Sequence, residues 1–361
     1  RGITLLREMQ DRYTNEGNNN VKPNFISYTT LIKAFSRSSE IDAAEKAHEL
    51  LNLMEELYIE YDDETLKPNL YTYNSVLNAW SKSHLPGSSQ RCQDLLDQML
   101  ENCASVNDDD PNRRNSSSNS GLSVRPDTAS FAICIKAYAN GDEKGSSDRA
   151  LSLLKQMMDL SKFHGYNTKP DIGAYNSVLR ALANDSDERK ATKAECLLRQ
   201  ILENNKNGSL EPDLTTYNNI LRCCCTTKSD DLKVRRAAIR IASDTLLRIR
   251  QRSSSNNNSS TRRYPHQQFS PDPYTFNFFI KTCDRLAIDE EEKLKLIKAA
   301  FHFCIQEGKF SKPVLSILKN ALKSKDLRSM LKLDDVQDLK LLKVSDLPLR
   351  WSDRVNVKSQ R

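Results

Sequence analysis

The sequence predicts an all-α fold, a solenoid of stacked helix-turn-helix repeats, from three observations. One fourteen-residue segment recurs six times in a single register. Every copy carries an apolar stripe at helical spacing, and a second, different apolar stripe follows each copy. Two helices per repeat cannot bury their apolar faces alone, so the copies must stack on one another.

The six segments are KPNFISYTTLIKAF, KPNLYTYNSVLNAW, RPDTASFAICIKAY, KPDIGAYNSVLRAL, EPDLTTYNNILRCC and SPDPYTFNFFIKTC, beginning at Lys22, Lys67, Arg125, Lys169, Glu211 and Ser270. If the residue after each Pro-Asn or Pro-Asp is position 1, position 4 is always aromatic: Tyr28, Tyr73, Phe131, Tyr175, Tyr217 and Phe276. Positions 7, 8 and 11 are apolar throughout, from Leu31, Ile32 and Phe35 in the first copy to Phe279, Ile280 and Cys283 in the last. Spacing of 4, 7, 8 and 11 is one face of an amphipathic helix. Position 10 is small, being Ala34, Ala79, Ala137, Ala181, Cys223 or Thr282, which lets a neighbouring helix approach. The Asn or Asp before each copy fits an N-cap.

The second helix is marked by Ala47, Leu50, Leu51 and Met54, then by Cys92, Leu95, Leu96 and Met99, by Ala150, Leu153, Leu154 and Met157, and by Ala194, Leu197, Leu198 and Ile201. The fifth and sixth copies fit this pattern more loosely, around Leu246 and Leu247 and around Ala300 and Phe303. These stripes divide the chain into repeats at 25–69, 70–127, 128–171, 172–213, 214–272 and 273–312. Residues 1–24 read as the second helix of a truncated copy, since Ile3, Leu5, Leu6 and Met9 precede the first segment. The expectation is of further chain upstream, any targeting peptide included.

Copies begin 45, 58, 44, 42 and 59 residues apart, and the excess is polar. Residues 102–123 and 251–269, rich in Ser and Asn and without apolar periodicity, are expected to be disordered insertions. Loop-closure entropy grows slowly with length, so such insertions cost the stack little. Residues 313–342 read as capping helices and 343–361 as an extended basic tail, with Trp351 either packed on the last helices or free to stack on a ligand.

Composition fits: 38% hydrophobic, 28% charged and only 10 Gly favour helices joined by polar connections. No apolar run approaches the roughly 18 residues that would span a bilayer, so no membrane partner is expected. Net charge of +6 permits a polyanionic partner but does not locate one. Nine cysteines, among them Cys92, Cys134, Cys196 and Cys304 at apolar helical positions, read as reduced thiols in a core. The run Cys223-Cys224-Cys225 does not suit a metal, because consecutive helical side chains diverge by about 100°. His48, His84, His164, His266 and His302 form no ligand motif, and the acidic runs 108–110 and 289–292 read as solvated charge. Neither a metal, a cofactor nor a catalytic site is expected.

The aromatic-Asn steps Tyr73-Asn74, Tyr175-Asn176, Tyr217-Asn218 and Phe276-Asn277, with Pro-Asp or Pro-Asn before the helix, resemble the pentatricopeptide repeat family over about residues 1–312. The Ser/Asn-rich insertions depart from that family's more compact spacing. The resemblance implies a right-handed α-α superhelix, monomeric, that binds single-stranded RNA at about one base per repeat. It further implies work inside an organelle, mitochondrion or plastid, in RNA processing, stability or translation, alongside other RNA-processing factors or a ribosome.

By the family's pattern, position 5 and the residue closing the repeat choose the base. Position 5 is Thr29, Asn74, Ala132, Asn176, Asn218 and Asn277, and the closing residues are Asn69, Asp127, Asp171, Asp213 and Asp272. Thr with Asn implies adenine and Asn with Asp implies uracil, so the first five repeats would read A-U-x-U-U from 5′ to 3′. The third is unreadable because Ala132 has no polar side chain. Position 2, with Ile26, Tyr71, Thr215 and Tyr274, would pack against the bases.

An independent physical feature points the same way. Position 9 is basic in five copies, Lys33, Lys136, Arg180, Arg222 and Lys281, one helical turn beyond position 5, where it could neutralise phosphates. The plainer alternatives stay open: closing residues that only cap helices, basic residues that are only solvated, and tyrosines that only pack. So do two other functions, a protein-binding helical scaffold and a structural component of an organellar ribosome.

Overall fold

The computed structural model describes residues 1–107, 122–141, 143–163, 165–205, 210–257, 269–333, 339 and 341–352. Among these, fifteen α-helices and no strands occur. The chain divides into two compact units, residues 1–181 and 182–361.

The first unit holds α1 (Gly2–Glu16), α2 (Phe25–Phe35), α3 (Ala43–Tyr61), α4 (Leu70–Lys82), α5 (Ser88–Asn107), α6 (Thr128–Asn140) and α7 (Ser146–Leu160). The division falls inside α8 (Ile172–Asn184). Each repeated segment forms the first helix of a hairpin, so α2 packs on α3, α4 on α5 and α6 on α7. First helices also pack on one another, α2 on α4 and α4 on α6, which makes the unit a stack of hairpins. The position-4 aromatics Tyr28, Tyr73, Phe131 and Tyr175 are buried here, as are the stripes from Ala47 to Met54, Cys92 to Met99 and Ala150 to Met157.

The second unit repeats the plan with α9 (Lys190–Asn204), α10 (Leu214–Thr226), α11 (Leu232–Asn257), α12 (Pro273–Leu286), α13 (Glu290–Gln306), α14 (Lys312–Ala321) and α15 (Ser324–Leu331). Here α10 packs on α11 and α12, and α12 packs on α13 and α14. Tyr217 and Phe276 are buried at position 4. In α11 the core stripe is Ala238, Ala242, Leu246 and Ile249, while Leu247 is 52% exposed. The sequence paired Leu246 with Leu247, but neighbouring helical residues point about 100° apart, and only Leu246 lies in phase with Ala238 and Ala242. Cys196 likewise points to solvent, whereas the other eight cysteines are buried.

Both expected insertions begin later than the sequence suggested. Helix α5 runs on through residue 107, because Cys103 sits four residues after Met99 and extends its buried stripe. Helix α11 continues to residue 257, where Ser253 is buried and Arg252 donates to the Pro212 carbonyl and pairs with Glu211. Residues 108–121 and 258–268, the remaining bulk of the two insertions, lie outside the described residues.

The expected extended tail is also corrected over 344–352. Two 3-10 turns, Val344–Asp346 and Leu349–Trp351, bring Trp351 edge-on to Phe301 and Phe310 at ring distances of 5.4 and 5.9 Å. The Phe310 amide donates to the Trp351 carbonyl at 2.8 Å. Burial of the indole against two phenyl rings gives this short segment a fixed place. Residues 353–361 lie outside the described residues.

Candidate nucleic-acid interface

Each first helix begins on an Asn or Asp, in extended backbone conformation at Asn24, Asn69, Asp127, Asp213 and Asp272, and this one residue positions the candidate site. Asn24, Asn69, Asp127, Asp213 and Asp272 accept from the backbone N–H of position 3, whose hydroxyl in turn approaches the cap's own N–H. This reciprocal capping box satisfies donors that the helix itself leaves free. Asp171 caps the Ala174 amide at 2.8 Å but gets no reciprocal bond, as alanine has no hydroxyl. The closing residues therefore do cap helices, and Asp127 and Asp272 also reach across to the preceding repeat.

In two repeats position 5 meets the cap of the next. The Asn74 amide donates to Asp127 at 3.3 Å, and its oxygen accepts from the Ser130 hydroxyl at 2.7 Å. In the second unit, the Asn218 amide donates to both Asp272 oxygens at 3.1 and 3.2 Å, and its oxygen accepts from Thr275 at 2.8 Å. The Thr29 hydroxyl lies 2.8 Å from that of Thr72, which donates to Asn69 at 3.2 Å. Thus Thr29 and Asn69 are linked through Thr72, whereas Asn74 with Asp127 and Asn218 with Asp272 touch directly. Ala132 and Asp171 make no such link, since a methyl group has nothing to donate.

The sequence left Asn277 without a closing partner, and α14 supplies a candidate. Ser311 is its N-cap and α14 packs on α12 as α12 packs on α10. Asn277 Oδ1 and Ser311 Oγ are buried without a protein hydrogen-bond partner. Ser311 escaped the sequence reading because the segment after it lacks the position-4 aromatic. The available signal was Ser311-Lys312-Pro313, which sets a proline at a helix start as Asp272-Pro273 does.

Position 2 is exposed where it carries a large side chain: Ile26 is 57% exposed, Tyr71 50% and Tyr274 64%. Thr215 is exposed too. The position-9 cations are less uniform than their register suggested. Lys136 and Lys281 are exposed, whereas Lys33 is half-buried, with its ammonium 5.0 Å above the Tyr71 ring. Arg180 donates to Asn140 at 2.5 Å and Arg222 to Asn184 at 2.8 Å. Both asparagines close the preceding first helix, so these two arginines tie neighbouring repeats together. Guanidinium groups donate in several directions, and a bond to Asn does not neutralise their charge.

The three consecutive cysteines lie in the core. Burial pushes the Cys223 thiol up to about 12, lifts Cys224 well above the ordinary range and raises Cys225 as well. Among the described residues no group of three His, Cys, Asp or Glu side chains is placed to hold a metal. Among the same residues no helix is long and apolar enough to cross a membrane.

Residues 5–83 and 160–227 match the pentatricopeptide repeat domain. No curated protein matches the chain. Similar solved structures include the pentatricopeptide repeat protein PPR10 in complex with an 18-nt psaJ RNA element, at 19% identity and a TM-score of 0.39, covering 92% of this chain and 42% of that one. A variant of PPR10 with three cysteines changed to serine, in complex with an 18-nt psaJ RNA element, gives the same values. This chain therefore spans less than half the length of PPR10. The family resemblance is thus carried by two segments, residues 5–83 and 160–227, which match pentatricopeptide repeats.

Proposed function

We propose that the chain binds single-stranded RNA at about one base per repeat, and that it acts in organellar RNA processing, stability or translation by holding a transcript. The observation that carries this reading is the pairing of Asn74 with Asp127 and of Asn218 with Asp272. A carboxylate and a carboxamide, half-exposed and held together between two repeats, offer a base edge both donors and acceptors. Exposed Ile26, Tyr71 and Tyr274 at position 2 supply flat or apolar surface beside those pairs, and exposed Lys136 and Lys281 supply charge. Base stacking and phosphate neutralisation together are what a sequence-tolerant single-strand site requires, and the amide pairs add choice of base.

The test is fluorescence anisotropy with a labelled single strand containing A-U-N-U-U and with the same strand annealed to its complement, each over a salt series. The single strand should bind and the duplex should not. Lys136→Gln with Lys281→Gln should reduce the slope of log K against log salt by about 1.4, at roughly 0.7 for each lost phosphate contact. Failure to bind the single strand, or equal binding of the duplex, would contradict the proposal. A protein-binding scaffold or a structural component of an organellar ribosome would then fit better.

A further inference from the structure

The position-3 hydroxyls belong to the capping boxes, yet three of them make a second bond that capping does not require, Thr72 to the Thr29 hydroxyl and Ser130 and Thr275 to a position-5 carboxamide. Ser130 Oγ lies 2.7 Å from Asn74 Oδ1, nearer than its 3.0 Å to Asp127. Thr275 Oγ1 lies 2.8 Å from Asn218 Oδ1 and 3.0 Å from Asp272. A hydroxyl has a single proton, and the Asp oxygen already accepts from the position-3 backbone N–H and from the Asn amide. The proton is therefore better used on the Asn oxygen. Because a carboxylate only accepts, the amide end facing Asp must be the NH2 group. That leaves Oδ1 facing the hydroxyl at the other end.

We propose that the position-3 hydroxyls of Ser130 and Thr275 are positioning residues for base choice in the repeat before each, fixing the planes of the Asn74 and Asn218 carboxamides. This inference rests on the RNA-binding reading above. One hydrogen bond leaves an amide free to swivel about it, whereas bonds at both ends fix its plane. Held so, Asn218 has one N–H on Asp272 and turns the other outward as a donor. Uracil offers that donor its O4 acceptor, whereas cytosine offers an amino group at the same place, and two donors repel. A swivelling amide could turn its oxygen outward in part and accept cytosine.

The pattern along the chain supports the same role. Thr72 follows Thr29, Ser130 follows Asn74 and Thr275 follows Asn218. Among the six repeated segments the hydroxyl is missing at Ala174, which follows Ala132, where there is no polar side chain to hold; α14, which follows Asn277, has Val314 at this position. Capping alone would want a hydroxyl there too, since Asp171 still caps α8.

The experiment compares two RNA strands that differ only in uracil or cytosine opposite the fifth repeat, bound competitively to the full chain and to Thr275→Val. Val keeps the backbone N–H that Asp272 accepts from and removes only the hydroxyl. Preference for uracil should fall about five- to tenfold, the worth of one hydrogen bond. Thr275→Ser should restore it. Ala174→Ser, which adds a hydroxyl with no amide to hold, should leave base preference at the third repeat unchanged. A purely structural role would weaken both strands alike, so an unchanged ratio in folded Thr275→Val overturns the inference. If Thr275→Val fails to fold, an unchanged ratio in Ser130→Ala at the second repeat does the same. A wild-type chain that binds no RNA refutes the RNA-binding reading itself, and a wild-type chain that binds but shows no preference refutes base choice, each before any variant is compared.

Discussion

Asn218 donates to both carboxylate oxygens of Asp272, 54 residues away, while that same carboxylate caps the helix it begins. One side chain thus joins two repeats and closes a helix end. Asp272→Ala should destabilise the second unit by about 1 kcal/mol for the lost cap and about as much again for the unpaired Asn218 amide. Asp272→Asn keeps a good cap and an acceptor for Asn218, and should change stability by a few tenths of a kcal/mol. Urea denaturation of the two variants checks the difference, and equal losses would show that the link between repeats contributes nothing.

In the first unit, Trp80 donates from its indole N–H to His48 Nδ1 at 2.9 Å, which requires that nitrogen to be unprotonated. Burial, with the Arg91 guanidinium close by, lowers His48 below its ordinary value near 6.5. The folded chain therefore binds this proton less readily than the unfolded chain. Stability is fully present above about pH 6.5 and declines as pH falls from there towards the lower folded value. His48→Gln keeps an acceptor for Trp80 without a titrating group, and should flatten that decline. Denaturation midpoints at pH 7.5 and pH 5.5 measure it, and a decline of the same size in His48→Gln would assign the pH dependence elsewhere.

How much of this was legible in the sequence follows from what kind of signal each feature leaves. The first helices were legible because position 4 is aromatic in all six copies and buried in all six. The hairpin partners were legible where Leu-Leu recurs, and misread at Leu247, where two adjacent leucines look alike in sequence but face different ways on a helix. The contacts of Asn74 and Asn218 with the next cap follow from register. Their second bond, to Ser130 and Thr275, was not visible, because a hydroxyl three residues into a helix reads as a cap component alone. Arg180 and Arg222 share the register of the other position-9 cations, but no local pattern shows that they will bond Asn140 and Asn184. Ser311 lacked the repeat's aromatic mark and became visible only through the packing of α14 on α12.

Trp351 lies against Phe301 and Phe310, near the end of the described chain. Trp351→Ala should destabilise the second unit by about 3 kcal/mol, the low end for losing a buried indole, and leave RNA affinity unchanged in the folded protein. Urea unfolding and anisotropy on the same variant check both halves. Weakened binding without loss of stability would instead make Trp351 a stacking surface for RNA.

In the proposed mode of binding, a position-5 residue and the following cap choose a base together. The first repeat offers a template, for Thr29, Asn69 and Thr72 form a Thr, Asn and Thr set where the fifth repeat has Asn218, Asp272 and Thr275. Since Thr275 already matches Thr72, the double change Asn218→Thr with Asp272→Asn transplants the whole set. The direct measurement is competitive binding of two strands that differ only in uracil or adenine opposite the fifth repeat, with circular dichroism as a control for folding. The wild-type chain should favour uracil and the double variant adenine, a shift of about 1–3 kcal/mol if readout energies resemble those at base edges in DNA. Identical ranking of the two strands by both folded proteins would contradict base choice by Asn218 and Asp272.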